Sequence, residues 1–333
     1  MDRDNRRLLK ANSRSFYLTL KVLPKRIRSQ IGTLYLFARL SDTIADSTVG
    51  DGAVLLRALS AYNERIQGLD SGPLDLEGLA SLQADPSEAD LLRNVNSITS
   101  SIGDFSATDQ AHIRRCLDII IGGQRLDLER FSSGEAGVIT CLQSDAELDD
   151  YAYRVAGSVG EFWTHVSLDH CFTLGAEDRE RLFALAVRFG KALQLINILR
   201  DIPADLALGR CYIPESALAE IGLQPEDLLD PTNFETFRPL YNHWLDITVG
   251  HLDAAVEYIE MLPHRHFRLR AACMLPVLIG QRTLQLCRQG NVLDSEHRIK
   301  VLRPEIKRIS RRTLFAVPFK GRSQRLLNRL RSP

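Results

Sequence analysis

Apolar residues three and four positions apart recur along almost the whole chain, while the alternating pattern of a half-buried strand is sparse, so helices are the elements this sequence can build. Ile27, Ile31, Leu34, Tyr35 and Ala38 trace one such face, and Leu182, Leu185, Ala186, Phe189, Leu193 and Ile196 trace another. The spacing predicts an all-α protein with helices over 3–11, 25–46, 52–67, 87–101, 107–131, 146–171, 177–203, 215–221, 235–261, 266–289 and 303–316. Residues 68–90, rich in Gly, Pro, Ser and Asp, read as a long connection with about one helical turn. Shorter irregular stretches fall at 209–214 and 231–237. No fixed-period repeat occurs and no linker separates compositionally distinct halves, so residues 1–333 read as one domain. A chain that is 44% hydrophobic and 25% charged has the apolar material for a large core.

Six cysteines are scattered without a CxxC pair, the pattern of reduced thiols rather than of a disulfide framework. The N-terminal residues carry charge with no apolar run after them, and no uninterrupted apolar run approaches a membrane span. The expectation is a cytoplasmic protein. Net charge is zero, but residues 298–333 hold twelve Lys/Arg against the single acid Glu305, a net +11 that leaves −11 for the rest. This basic segment reads as a solvated face balancing an acidic body, or as a peripheral contact for anionic lipid. Nucleic acid ranks last, because regular aromatic interleaving and any DNA- or RNA-binding motif are missing. The sequence is silent on oligomeric state.

Two pairs of aspartates carry the chemistry. Asp42 and Asp46 lie in LYLFARLSDTIADS, and Asp201 and Asp205 in LQLINILRDIPADLALGRCYIP. Residues four apart share a helix side, about 5–6 Å apart at Cβ, so each pair aims two carboxylates into one region. One such pair is ordinarily a solvated helix face. Here the arrangement repeats in matching context, at the C-terminal ends of apolar helices where the macrodipole disfavours anions, with Arg39 and Arg200 alongside. Mg²⁺ is commonly held by one or two carboxylates plus substrate phosphates, and the paired sites suit that ion. Pro203 interrupts the second pair and makes Asp201 the safer ligand. The adjacent acids Asp149/Asp150 read as a helix N-cap.

At these motifs the sequence resembles the squalene/phytoene synthase family, the head-to-head trans-prenyltransferases. NSRSFYLTLKVLP, LYLFARLSDTIADS, YAYRVAGSVGEFW and QLINILRDIPADLALGRCYIP stand in the family's order and separations. The resemblance implies a helical isoprenoid-synthase fold around a central hydrophobic cavity, with prenyl diphosphates as substrates and Mg²⁺ at Asp42, Asp46, Asp201, Asp205 and Asn197. It implies diphosphate contacts from Ser13, Ser15, Tyr35, Arg39, Gln194, Asn197, Arg200 and Arg210, and a catalytic role for Tyr151 in ionisation or proton transfer. Each position also has a structural reading: Ser13 and Ser15 as helix caps, Gln194 and Asn197 as satisfied amides, Tyr151 as a wedge. Ala156, Gly157, Val159 and Gly160 suit a cavity wall and equally suit tight helix packing, the cavity being slightly favoured. Squalene synthases tend to carry one further acid in each motif, where this chain has Ala45 and Ala204, which leaves a lean set of four carboxylates.

SDTIADS and the C-terminal stretch RLRAACMLPVLIGQRTLQLCRQG are closer to the squalene type than the phytoene type. The resemblance thus implies condensation of two farnesyl diphosphates through presqualene diphosphate to squalene. The alternatives are phytoene from geranylgeranyl diphosphate, or arrest at presqualene diphosphate, dehydrosqualene or hydroxysqualene; from another class, a helical scaffold without activity. NADPH enters only through the resemblance. No Gly-rich dinucleotide turn is present, and Lys300 and Arg303 are the candidate contacts for its phosphates.

Overall fold

The computed structural model describes residues 3–13, 16–47, 52–131 and 138–328. The chain forms two compact units: residues 1–132 with 161–173, and residues 133–160 with 174–333.

The first unit contains α1 (Arg3–Asn12), α2 (Phe16–Val22), α3 (Lys25–Ala45), α4 (Gly52–Gln67), α5 (Glu77–Ala80), α6 (Pro86–Arg93), α7 (Val95–Ser100) and α8 (Ala107–Phe131). Its centre is α3, which packs on α8, α4, α1 and α6. Of the apolar face read from the sequence, Ile27, Ile31 and Leu34 pack, together with Leu36, Phe37, Leu40 and Ile44, whereas Tyr35 and Ala38 stay partly accessible. Pro24 ends the preceding turn and sets the start of α3. Asp85 caps α6 by accepting from the Ser87 amide at 2.8 Å, with Pro86 at the first helical position. The connection over 68–90 contains the short α5, the expected turn of helix, and also the beginning of α6.

The second unit contains β1 (Thr140–Cys141), α9 (Asp145–Ala152), a π-turn (Tyr153–Gly157) and the first residues of α10 (Ser158–His170), which from Glu161 onward belongs to the first unit, then α11 (Ala176–Arg200), α12 (Ile202–Ala207), β2 (Arg210–Cys211), α13 (Glu215–Glu220), α14 (Phe234–Met261), α15 (Phe267–Gln289), α16 (Arg303–Ala316) and α17 (Lys320–Asn328). The helix expected over 146–171 is therefore present but interrupted by the π-turn. By length and composition α11 would also pass as a membrane span; in the fold it is the packing partner of α14, α15 and the π-turn. β1 and β2 pair in parallel, Thr140 opposite Arg210 and Cys141 opposite Cys211.

Ser144, not Asp149 or Asp150, caps α9. The two acids sit inside the helix, where Asp149 binds Lys191 at 2.6 Å and Asp150 binds Arg154 at 2.7 Å, so their charges serve ion pairs rather than a cap. The π-turn and α10 meet α11 backbone to backbone. A Cβ on Gly160 would stand 2.1 Å from the Ala186 carbonyl oxygen, and a Cβ on Gly190 2.0 Å from that of Ala156. Gly157 and Gly160 therefore serve tight helix packing rather than the cavity wall slightly favoured for them, because the helices touch there, while Ala156 and Val159 stay partly accessible.

Candidate functional site

Between Gln30 and Ser47 every residue of α3 and its C-cap region is buried except Tyr35, Ala38, Arg39, Asp42 and Asp46. These five follow helical spacing and leave one accessible stripe on an otherwise buried helix. Four of the five are the residues singled out from the sequence. Asp46 is the C-cap, and its amide donates to the Asp42 carbonyl oxygen at 2.8 Å, which fixes the two carboxylates one turn apart.

The surroundings of this stripe are polar and partly unpaired. Arg39 forms an ion pair with Glu88 of α6, and Gln124 of α8 donates to Oδ1 of Asp42. Tyr35 stacks on Phe16 with ring centroids 4.6 Å apart and donates to the Asn12 carbonyl at 3.3 Å. Beside Asn12, Ser13 is buried and its hydroxyl has no hydrogen-bond partner among the described residues. It makes no cap bond, so the helix-cap reading of Ser13 does not hold. An unpaired buried hydroxyl is costly unless something else meets it. Ser15 lies outside the described residues.

Burial raises the Asp42 carboxyl to about 7, with the neighbouring Asp46 charge adding to the rise and Arg39 and the Gln124 hydrogen bond opposing it. Two carboxylates one turn apart, one of them buried and raised, form a place suited to a cation. No group of three or more His, Cys, Asp or Glu side chains converges as a metal cluster among the described residues. A pair of hard oxygen ligands still fits Mg²⁺, which keeps waters and takes its remaining ligands from phosphate.

The second pair departs from the expected single helix. α11 stops at Arg200, Asp201 is its C-cap, and α12 restarts at Ile202 with Pro203 in its first turn, where the missing amide costs nothing. Backbone bonds nonetheless carry the turn through. The Asp201 amide donates to Asn197 at 2.9 Å and the Asp205 amide to Asp201 at 3.0 Å, so Asn197, Asp201 and Asp205 follow one another at one-turn intervals. Asn197 is exposed, and Gln194, Arg200, Asp201 and Asp205 are partly so, whereas Leu195, Ile196, Ile198, Leu199 and Ile202 are buried. Arg200 donates to Asp201 at 3.0 Å, and Arg298, far along the chain, donates to it at 2.7 Å. Burial would raise the Asp201 carboxyl, but the hydrogen bonds from these two guanidiniums outweigh it and hold the group below the ordinary carboxylate range. Gly209, at φ +73°, ends α12, its amide bound to Leu206 at 2.9 Å, and turns the chain into β2. That turn places Arg210 and Tyr212 on the same small pocket as Asp205, a depression of about 10 Å³. Tyr212 in turn stacks on Tyr151, centroids 4.8 Å apart, so the YAYRVAG motif meets the second aspartate motif through an aromatic pair. Lys300 and Arg303 are exposed, Arg303 opening α16.

Three residues about these sites were not anticipated: Gln124, Glu88 and Arg298. Gln124 had a signal, since it interrupts the buried apolar row Ile113, Leu117, Ile120 and Ile121 of α8 at helical spacing. Glu88 and Arg298 had none, because a lone charge in a polar stretch does not announce its partner.

The solved structures similar to this chain share its fold. TcSQS in complex with a ligand superposes with a TM-score of 0.80 at 21% identity, over 99% of this chain and 90% of that one. Squalene synthase HpnC from Alicyclobacillus acidocaldarius gives 0.61 at 21% identity, over 86% and 92%. The helices thus form the all-α isoprenoid-synthase fold. Residues 9–305 match the squalene/phytoene synthase family, and the chain belongs to that family of prenyltransferases. Presqualene diphosphate synthase of Zymomonas mobilis is 33% identical over 213 residues, 64% of this chain and 60% of the relative. The bifunctional lycopene cyclase/phytoene synthase of Gibberella fujikuroi is 30% identical over 265 residues, 77% of this chain and 42% of the relative. The chain thus spans less than two thirds of the length of these relatives.

Proposed function

We propose that this chain is a Mg²⁺-dependent head-to-head prenyltransferase that condenses two farnesyl diphosphates to presqualene diphosphate and carries that intermediate to squalene with NADPH. The observation that carries the reading is the accessible stripe of α3: a buried helix exposes Tyr35, Arg39, Asp42 and Asp46 along one line, beside an unpaired buried Ser13 hydroxyl. Those groups match what a metal-bound diphosphate asks of a protein.

Asp42 with Asp46, and Asp201 with Asp205 and Asn197, are the groups that would hold the metal. Bound there, Mg²⁺ supplies charge neutralisation to the departing diphosphate. Arg39, Arg200 and Arg210 supply fixed positive charge, and the hydroxyls of Ser13 and Tyr35 supply donors where negative charge grows as the allylic C–O bond breaks. The diphosphate leaves with the bonding electrons, the double bond of the second prenyl chain attacks the cation, and closure of the cyclopropane releases a proton. Tyr151, its ring held by Tyr212, is proposed to assist ionisation or accept that proton. For NADPH the support is the exposed positive charge of Lys300 and Arg303, and no step is assigned to them.

The 30% identity to a phytoene synthase favours a second reading, condensation of two geranylgeranyl diphosphates to phytoene. The 33% identity to a presqualene diphosphate synthase favours arrest after the first half-reaction. Incubation with labelled farnesyl or geranylgeranyl diphosphate and Mg²⁺, with and without NADPH, separates the three. Squalene formed only with NADPH supports the full reaction, presqualene diphosphate under both conditions supports arrest, and turnover of the C20 substrate alone supports phytoene synthesis. Release of no pyrophosphate from either substrate contradicts the enzyme reading and leaves a scaffold.

A further inference from the structure

We propose that the corner where α16 meets α17 is a docking surface for an anionic lipid bilayer. Leu314, Phe315 and Phe319 lie there with 52%, 76% and 53% of their surfaces exposed. Three large apolar side chains within six residues, open to solvent, are more than the scattered exposure a soluble surface ordinarily shows. The corner is not a frayed end. The Phe319 amide donates to Ala316 at 3.0 Å and the Ser323 amide to Phe319 at 3.0 Å, which carries the turn directly from one helix into the next. The other faces of these helices are fastened to α15: Gln281 donates to the Leu327 carbonyl at 3.0 Å, and Arg282 pairs with Glu305 at 2.9 Å. Thr313, Ala316, Ser323 and Leu327 are buried on that side. The apolar corner is thus held out by a pinned pair of helices rather than left over from a poor fit.

Charge names the occupant. Residues 306–328 contain seven Lys/Arg and no acid. Lys307, Arg311, Arg312, Lys320 and Arg322 are exposed beside the apolar residues, and the Arg322 guanidinium lies 4.5 Å from the Phe319 ring centroid. Rings and an aliphatic side chain that sink to the acyl boundary, ringed by cations at phosphate level, are the two signals that together hold a protein on a membrane when neither suffices alone. Attraction of the cations to anionic headgroups supplies approach and salt dependence, and the apolar residues supply retention. A polyanion such as RNA would reward the charge but not the burial of Leu314 and Phe315. The surface is remote in argument from the diphosphate reading and stands or falls separately.

The test is co-sedimentation of the full chain with vesicles of phosphatidylcholine alone and of equal parts phosphatidylcholine and phosphatidylglycerol. Binding is expected to the mixed vesicles, weakened by added salt, and at least about tenfold weaker to phosphatidylcholine. The double variant Phe315→Ser/Phe319→Ser keeps every charge and removes two exposed rings, so it should fold as before by circular dichroism yet lose roughly tenfold or more in vesicle affinity. Arg311→Ala/Arg312→Ala should lose affinity for mixed vesicles only. Equal binding to both vesicle types, undiminished binding of the phenylalanine variant, or binding to an RNA homopolymer in place of vesicles would each overturn the proposal.

Discussion

The amide of Asp205 donates to the carbonyl oxygen of Asp201 at 3.0 Å, the same one-turn bond by which the Asp46 amide meets Asp42 at 2.8 Å. Pro203 ends one helix and starts another between the second pair, yet the backbone spacing of the two pairs is the same. What differs is their electrostatic setting. Asp42 is raised to about 7 by burial and then by the Asp46 charge beside it, while Asp201 is lowered because the hydrogen bonds from Arg200 and Arg298 outweigh its burial. The two motifs are alike in backbone and opposite in charge balance.

That contrast sets a pH dependence. A carboxyl raised from its unfolded value gives stability that is fully present below about pH 4 and lost as pH rises through its folded value near 7. Without divalent metal, the melting temperature should therefore decline between about pH 4 and 7, over and above the background of other groups. Mg²⁺, which binds the ionised pair, should restore it towards pH 7 and above. Asp42→Asn should flatten the decline and abolish the Mg²⁺ effect. Thermal melts across pH, with chelator or with Mg²⁺, check both.

Gln124 holds Asp42 through a hydrogen bond that favours the ionised carboxylate. Gln124→Leu should raise the Asp42 carboxyl further and weaken Mg²⁺ binding, costing about tenfold in kcat/KM at limiting Mg²⁺, with smaller loss when Mg²⁺ is saturating. A loss that is independent of Mg²⁺ concentration would place Gln124 outside the metal site.

Arg298 acts on Asp201 in the opposite sense. A lowered carboxyl contributes stability above its unfolded pKa and loses it as pH falls through the folded value, so Arg298→Ala should shrink that contribution and make the protein less stable at neutral pH by up to about 1 kcal/mol, the two converging below about pH 4. Arg298 is largely exposed, which keeps the effect small. Denaturant melts at neutral and acid pH measure it.

At Gly160 and Gly190 the backbone contacts leave no room for a methyl group. Gly160→Ala or Gly190→Ala should destabilise the protein by about 3 kcal/mol or more, since the clashing atoms are carbonyl groups of a facing helix rather than pliable side chains. Ala substitution at Gly103, where nothing lies within contact distance, is the control.

Most helices were legible because burial on one side leaves a periodic record: the stripes of α3 and α11 were traced residue by residue, and the spans of α8, α14 and α15 were read from the same spacing. α2 was not, because FYLTLKV is too short for a helical period and is rich in strand-favouring types, and its helix is set by the packing of Phe16 on Tyr35. α17 was missed because KGRSQRLLN has two buried positions, Ser323 and Leu327, too few for a period. At the site the carboxylates were visible through spacing, and the second-motif break through Pro203. Gln124 left a trace as the polar break in the apolar row of α8, but Glu88 and Arg298 were hidden because each acts across many residues of sequence, a relation that only the folded chain creates.

The central claim is that the Asp42 and Asp201 motifs each bind metal for a prenyl diphosphate, and pyrophosphate release from farnesyl diphosphate measures that directly. Wild-type protein should release it only with Mg²⁺; Asp42→Asn and Asp201→Asn, shown folded by circular dichroism, should each fall by about a thousandfold or more. Release by either variant at the wild-type rate, or release by the wild type in chelator, would contradict the account.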